Sequence, residues 1–328
     1  MLRRSVRLLC LSALLLSAVN TPAPLVYRPG EGWSYESVGG GKWTRTRAKD
    51  QLEVAQQGFD SKNFSLALKA SRRTVRVWPL SDYAPQAQYL VGRTLEEQKQ
   101  DEKAFKAYQQ LLEKYPKSSN YEEVVKRQYG IANRYLAGQW FKLWGYIPFF
   151  PSMDKTVDMY QKLIKSGPYS EVAPGAQMNI GAAREKQSDF PSAVKAYESA
   201  ADRYHDRKAV AADALFKAGE AYLKQAKTAE YDQNVAGQAI STFTDFMALY
   251  PQDARVTEAQ KKIAVLKTEQ AKGSLIVAKF YEKKKQWDGA LVYYNEVLVR
   301  DPQSKYAEEA RRRIEEIKKR TVRQTALR

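Results

Sequence analysis

The sequence predicts an all-α protein: a solenoid of about five to six helical hairpins closed by a C-terminal capping helix. Three observations predict it. Apolar residues recur at helical spacing from about residue 45 onward, with few β-branched runs. Six segments end where a helix must stop, five of them at proline: Asn63–Pro79, Asp101–Pro116, Asp154–Pro168, Asp189–His205, Asn234–Pro251 and Gln286–Pro302. Each segment carries a small residue twelve positions before its end, at Ala67, Ala104, Thr156, Ala193, Ala239 and Ala290.

Taken in chain order, residues 1–19 form an export signal. Arg3, Arg4 and Arg7 precede an apolar run from Leu8 to Val19, the basic start and short apolar core of a secretory signal. The run is short against the roughly 20 residues that span a bilayer. Cleavage after Ala18 and retention as an anchor are both compatible with it. Cys10 lies ahead of most of the apolar run, whereas a lipid-attachment cysteine follows it, so Cys10 reads as one more apolar residue. Residues 20–44 read as a Gly/Pro-rich linker, with Pro22, Pro24, Pro29 and five glycines. Its Trp33, Tyr35 and Trp43 suggest that part of it packs on the first helices.

The repeats occupy residues 45–320. Four residues after the small position stands an aromatic in five of six segments, Tyr108, Tyr160, Tyr197, Phe243 and Tyr294, with Ser71 the exception. Twelve residues before the small position stands another, Ala55, Gly92, Gly181 or Ala278. Gly130 and Gly219 take that part at longer spacing, so repeats three and five carry insertions. Small residues let paired helices approach, and the ring one turn later fills the gap to the next repeat. This is the pattern of the tetratricopeptide repeat. No such hairpin buries its apolar face alone, so stacking is required. The last helix, about Lys305 to Arg320, sets Ala307, Ala310, Ile314 and Ile317 on one stripe. Glu308–Arg312 and Glu309–Arg313 lie at i,i+4 spacing on its other side. Residues 321–328 read as a basic tail.

The repeat-three insertion, residues 136–153, contains Trp140, Phe141, Trp144, Tyr146, Phe149 and Phe150, with Pro148 and Pro151 against a helix. So many bulky apolar residues fit either a partner or membrane contact or a loop folded over the core. The second insertion, roughly Lys224 to Asn234, is polar and lengthens a hairpin.

Composition narrows the function. One cysteine and one histidine, Cys10 and His205, leave no internal disulfide and no Cys/His zinc site. Cys–His or Ser–His–Asp chemistry would need His205, which reads as a surface residue at a helix end. No catalytic residue, metal site or cofactor is assigned, and the chain reads as a binding protein rather than an enzyme. A net charge of +17, with clusters such as Arg72-Arg73-Thr74-Val75-Arg76 and Lys283-Lys284-Lys285, points to anionic partners. The export signal and the lack of an RNA-binding aromatic signature set nucleic acid aside. Acidic protein surfaces and anionic membrane surfaces remain.

The segments Ala104-Phe-Lys-Ala-Tyr108 through Tyr115-Pro116, and Ala278-Lys-Phe-Tyr281 through Trp287-Asp-Gly-Ala290, Tyr293-Tyr294 and Asp301-Pro302, resemble the BamD family. That family is the periplasmic tetratricopeptide component of outer-membrane β-barrel assembly, and the resemblance covers about residues 45–320. It implies a non-enzymatic scaffold that is exported to the periplasm and peripheral to the outer membrane. Its early repeats would receive unfolded barrel substrates, and its late repeats would dock a barrel-assembly subunit. Family members are usually lipoproteins and lack the 136–153 insertion. Tetratricopeptide arrays bind along the face lined by the first helix of each pair. Counting from the crossing residue, Lys49, Gln56, Tyr89, Arg93, Arg127 and Arg134 face such a groove, a mixture suited to an extended peptide with acidic groups. The rival reading is a soluble periplasmic adaptor of the Tol-Pal or cell-division kind.

Overall fold

A computed structural model describes residues 25–28, 32–35, 43–143, 147–228 and 233–326. The expected export signal lies outside them. Thirteen described helices form six antiparallel hairpins and a terminal helix. The hairpins are α1 (Ala48–Asp60) with α2 (Phe64–Val77), α3 (Ala84–Glu97) with α4 (Asp101–Lys114), α5 (Tyr121–Leu136) with α6 (Met153–Ser166), and α7 (Ala173–Lys186) with α8 (Phe190–Arg203). Then come α9 (Lys208–Thr228) with α10 (Gln233–Leu249), α11 (Val256–Lys283) with α12 (Trp287–Arg300), and the closing helix α13 (Lys305–Ala326). The chain divides into two compact units at Val124/Val125, within α5.

The second helix of each hairpin is set by its own sequence. Asn63, Ser152 and Asp189 cap α2, α6 and α8, their side chains accepting the amides of Leu66, Lys155 and Ser192. Such caps satisfy amide donors that the helix cannot. All six small residues are fully buried, and so are the five aromatics and Ser71. The glycines are the reciprocal surface. A Cβ on Gly92 would stand 2.2 Å from the Tyr108 ring, one on Gly181 2.4 Å from Tyr197, and one on Gly219 2.7 Å from Phe243. Repeat three departs from the expected register: a Cβ on Gly130 would meet nothing within 4 Å. Ala132 is fully buried there, four residues after the buried Gln128, just as Gly92 follows Gln88 and Gly181 follows Gln177. Ala132 therefore takes the crossing position.

Unit 1 holds two hairpins. Fully buried Gln51 closes its start, accepting the Arg45 amide (2.8 Å) and donating to the Trp43 carbonyl (3.1 Å). The stretch expected as a linker contains regular structure: β1 (Leu25–Arg28) pairs antiparallel with β2 (Gly32–Tyr35), and Tyr27 lies against Trp33 at 5.2 Å between ring centres. Pro24 and Pro29 flank β1, Gly32 opens β2, and the aromatic residues Tyr27, Trp33 and Tyr35 suit the pairing.

Unit 2 holds the remaining hairpins. Its α11 is 28 residues long and serves two cores. Ala259, Ile263 and Leu266 pack with the α9–α10 cluster around Phe243 and Phe246. Ala271, Leu275 and Ala278 pack with α12 and α13 around Tyr294 and Ile317. On α13 the stripe Ala307, Ala310, Ile314 and Ile317 is buried as expected. The charged face pairs differently from its i,i+4 spacing. Glu309 accepts from Lys279 of α11 at 2.7 Å, and Arg313 reaches Glu282 at 3.6 Å and Glu316 at 2.9 Å. The helix continues to Ala326, past the expected start of a tail at residue 321.

Candidate functional site

The first helices share a register around their crossing residue, and two side chains per helix flank it on the same side. Three residues before the crossing stand Leu52, Tyr89, Tyr129, Met178, Phe216 and Leu275; one residue after it stand Gln56, Arg93, Asn133, Ala182, Glu220 and Lys279. The rings confirm the register. Tyr89 lies 6.4 Å from Tyr108, Tyr129 6.1 Å from Tyr160, and Phe216 5.6 Å from Phe243.

In unit 1 the expected residues Tyr89 and Arg93 come together. The Tyr89 hydroxyl donates to Glu123 at 2.5 Å and accepts from Arg93 at 3.1 Å. The Arg93 guanidinium lies 5.3 Å over the Phe59 ring and 3.9 Å from Glu97. The result is a half-buried cation framed by two rings, able to meet a carboxylate or an aromatic side chain. Lys49 and Gln56 lie exposed on α1, and Gln56 donates its amide to Asp60 at 2.9 Å.

In unit 2 Arg127 is half-buried and Arg134 exposed on α5. Because Ala132 sets the register, the counterparts of Tyr89 and Arg93 are Tyr129 and Asn133 rather than these arginines. They belong to a polar network that sequence reasoning missed. Asn133 Oδ1 accepts from the Tyr160 hydroxyl (2.6 Å) and from Asn179 Nδ2 (2.9 Å), and Asn179 also reaches Tyr129 and Tyr160 at 3.2 Å. Burial holds the Tyr160 hydroxyl protonated far above its ordinary range, so it is a fixed donor. The available signal was the glutamine four positions before the crossing residue in the first four repeats, Gln51, Gln88, Gln128 and Gln177.

Farther along unit 2, in the fifth repeat, the position after the crossing residue is acidic, Glu220. Burial raises the Glu220 carboxyl, but Lys217 and Lys262, at 2.9 and 3.0 Å, outweigh it and hold the pKa below the ordinary range. Arg255 sits 4.8 Å over Phe216 and 5.5 Å over Phe246, donates to both oxygens of Asp253 at 2.9 Å and reaches Asp213 at 2.7 Å. The side-chain hydrogen bonds from Arg255 lower the Asp253 pKa to about 2.

The repeat-three insertion is a β-hairpin, β3 (Phe141–Leu143) against β4 (Ile147–Phe150), rather than an irregular loop. Phe141 is only 2% exposed and stacks on Tyr135 at 4.1 Å, with the Lys155 ammonium 4.9 Å from its ring. Trp140 and Phe150 remain 52% and 40% exposed. Trp144 and Tyr146 lie outside the described residues, and for Phe149 only the backbone is described. His205 is exposed just beyond α8, its Nδ1 2.9 Å from the Asp202 carbonyl. Among the described residues no group of three or more His, Cys, Asp or Glu is placed to hold a metal ion, and no helix is long and apolar enough to cross a membrane.

Two family models match this chain. The model described as outer membrane lipoprotein, YfiO, matches residues 152–320, just over half of the chain, from the cap of α6 into α13. A tetratricopeptide-repeat model matches residues 86–118, the α3–α4 hairpin. No curated protein matches the sequence. Among solved structures, the MamA protein is 13% identical with a TM-score of 0.35, over 63% of this chain and 94% of that one. YrrB, described as a tetratricopeptide protein with an unusual peptide-binding site, is 13% identical with a TM-score of 0.34, over 66% and 92%. The C-terminal part of a repeat protein from Cytophaga hutchinsonii is 13% identical with a TM-score of 0.36, over 80% and 87%.

Proposed function

Because this chain belongs to the YfiO family of outer membrane lipoproteins, we propose that it is a non-enzymatic scaffold of outer-membrane β-barrel assembly. It works on the periplasmic side, peripheral to the outer membrane, and holds unfolded barrel segments and partner subunits. At the coarser level, the chain is a tetratricopeptide-type protein-interaction scaffold, and these families typically bind proteins rather than catalyse. The single observation that carries the finer reading is the family match, which runs through every helix from α6 to α13.

The binding surface is the first-helix face. Tyr89 and Arg93 on α3, with Lys49 and Gln56 exposed on α1, offer rings, an amide and cations to an extended acidic or carboxylate-ended segment. Within unit 2 the equivalent first-helix positions are Tyr129 and Asn133, with Arg127 and Arg134 on the same helix. The hairpin carrying Trp140, Phe141, Trp144, Tyr146, Phe149 and Phe150 is the partner or membrane contact. Phe141 anchors it while Trp140 and Phe150 face outward.

The test is photo-crosslinking in cells, with the reactive group placed at Tyr89, Arg93 or Trp140 in the full chain. The expected captures are barrel-assembly subunits or nascent barrel chains. Capture of Tol-Pal components alone would contradict the proposal and favour the soluble-adaptor reading.

A further inference from the structure

The chain repeats itself at an offset of 89 residues. Helices α2, α3 and α4 begin at 64, 84 and 101, and α6, α7 and α8 begin at 153, 173 and 190. Between the second helices of each set, over the first helix, lies a cleft, of about 610 Å³ in unit 1 and about 1150 Å³ in unit 2. Each residue lining the unit 1 cleft has its counterpart lining the unit 2 cleft 89 positions later. Equivalent glutamines tie the floor to the wall. Gln88 donates to the Ala107 carbonyl at 2.8 Å and Gln177 to the Ala196 carbonyl at 3.1 Å.

What recurs is charge over an aliphatic base. Arg76, Lys106 and Lys114 become Lys165, Lys195 and Arg203, while Val75 and Val91 become Ile164 and Ile180. Every one of these cations is exposed. No carboxylate lines the unit 1 cleft, and Asp206 is the one acidic residue lining the other. Among the described residues, no ion pair ties Arg76, Lys106, Lys114, Lys165, Lys195 or Arg203 to an acid. The helix-ending prolines Pro79 and Pro168 line the two clefts, and the residue after each is a large one left in water: Leu80 is 92% exposed, and Tyr169, which itself lines the unit 2 cleft, 94%.

We propose that each cleft seats an acidic amphipathic segment of a partner protein, its carboxylates on the two cationic rims and its apolar side chains on the aliphatic floor. The shape favours a linear ligand over a membrane. The cations of α4 run from Lys103 to Lys114, three turns or about 16 Å, facing Arg72 and Arg76 on α2. An isolated lipid headgroup needs one end of such a row; a peptide helix or strand uses its length. Leu80 and Tyr169 supply the apolar anchor that a purely electrostatic surface would lack. These clefts lie away from Tyr89, Arg93, Tyr129 and Asn133, so the inference does not rest on the assembly role.

The test uses the full chain and a fluorescent peptide of alternating Glu–Glu and Leu–Leu pairs, followed by anisotropy. Saturable, salt-weakened binding is expected, with no binding of the same peptide carrying Gln for Glu. The double variant Arg76→Glu/Lys106→Glu, with Lys165→Glu/Lys195→Glu added, should weaken binding about tenfold or more with an unchanged melting temperature, because these side chains are exposed and unpaired. Leu80→Ser with Tyr169→Ser should weaken binding while leaving its salt dependence intact. Peptide affinity unchanged in the four-residue variant, or equal binding of the Gln peptide, would overturn the proposal. So would binding of phosphatidylglycerol vesicles that the variant loses while the peptide never binds, which would mark a lipid surface instead.

Discussion

At Gly181 and Gly130 the same residue type meets opposite surroundings. A methyl group on Gly181 would press on the buried Tyr197 ring from 2.4 Å, whereas one on Gly130 would enter open space. Overpacking costs about 1–3 kcal/mol, and replacing a mid-helix glycine by alanine recovers about 0.5–1 kcal/mol. Gly181→Ala should therefore destabilise by about 1–2 kcal/mol and Gly130→Ala stabilise by about 0.5–1 kcal/mol in denaturant titrations. Destabilisation by both would refute the Ala132 register. The Asp253–Arg255 pair carries a second prediction. Its folded pKa of about 2 lies below the ordinary 3.8, so its contribution is present above about pH 4 and is lost as pH falls towards 2. Partial exposure limits that contribution to about 1 kcal/mol. Asp253→Asn should lower stability at neutral pH and flatten the acid limb, and an acid limb parallel to wild type would contradict the pairing.

Among the elements, α11 depends most on its continuity. Its two halves belong to two cores, and exposed Lys267 lies where they meet. Proline there removes a helical hydrogen bond and clashes with the preceding turn. Lys267→Pro should cost about 3 kcal/mol or more and split thermal unfolding into two steps, while Lys267→Ala stays within about 0.5 kcal/mol. A single unchanged transition in Lys267→Pro would show that the halves are not coupled through the helix. The second helices were legible in the sequence because five of the six segments end at a proline and all carry a buried small residue, followed in five by a buried ring. The first helices were less so. Their register rests on one small residue, and in α5 the visible glycine, Gly130, is not the crossing residue. That two-residue slip directed attention to Arg127 and Arg134 and away from Asn133 and Asn179, whose partners are 19 to 50 positions distant. The β-hairpins escaped because strands of three or four residues in Pro- and Gly-containing stretches carry too little alternation to distinguish them from loops.

Over the whole molecule, six hairpins and a capping helix present repeated surfaces. The tetratricopeptide and YfiO families to which they are matched typically bind proteins. The chain's positive charge of +17 should make association faster and tighter at low salt, and binding of acidic partners that ignored salt would contradict the electrostatic part of the account. The fold and the family were readable from periodicity and from the repeat motifs. The partners were not, since the side chains proposed to meet them, such as Tyr89, Arg93 and Trp140, stand at positions that no repeat consensus demands. The most direct measurement is affinity purification of the tagged, full-length protein from gently solubilised cell envelopes, with its partners identified by mass spectrometry. The account predicts stoichiometric recovery of outer-membrane β-barrel assembly subunits, reduced by charge reversal at Arg93. Recovery of Tol-Pal or cell-division components in their place would contradict it.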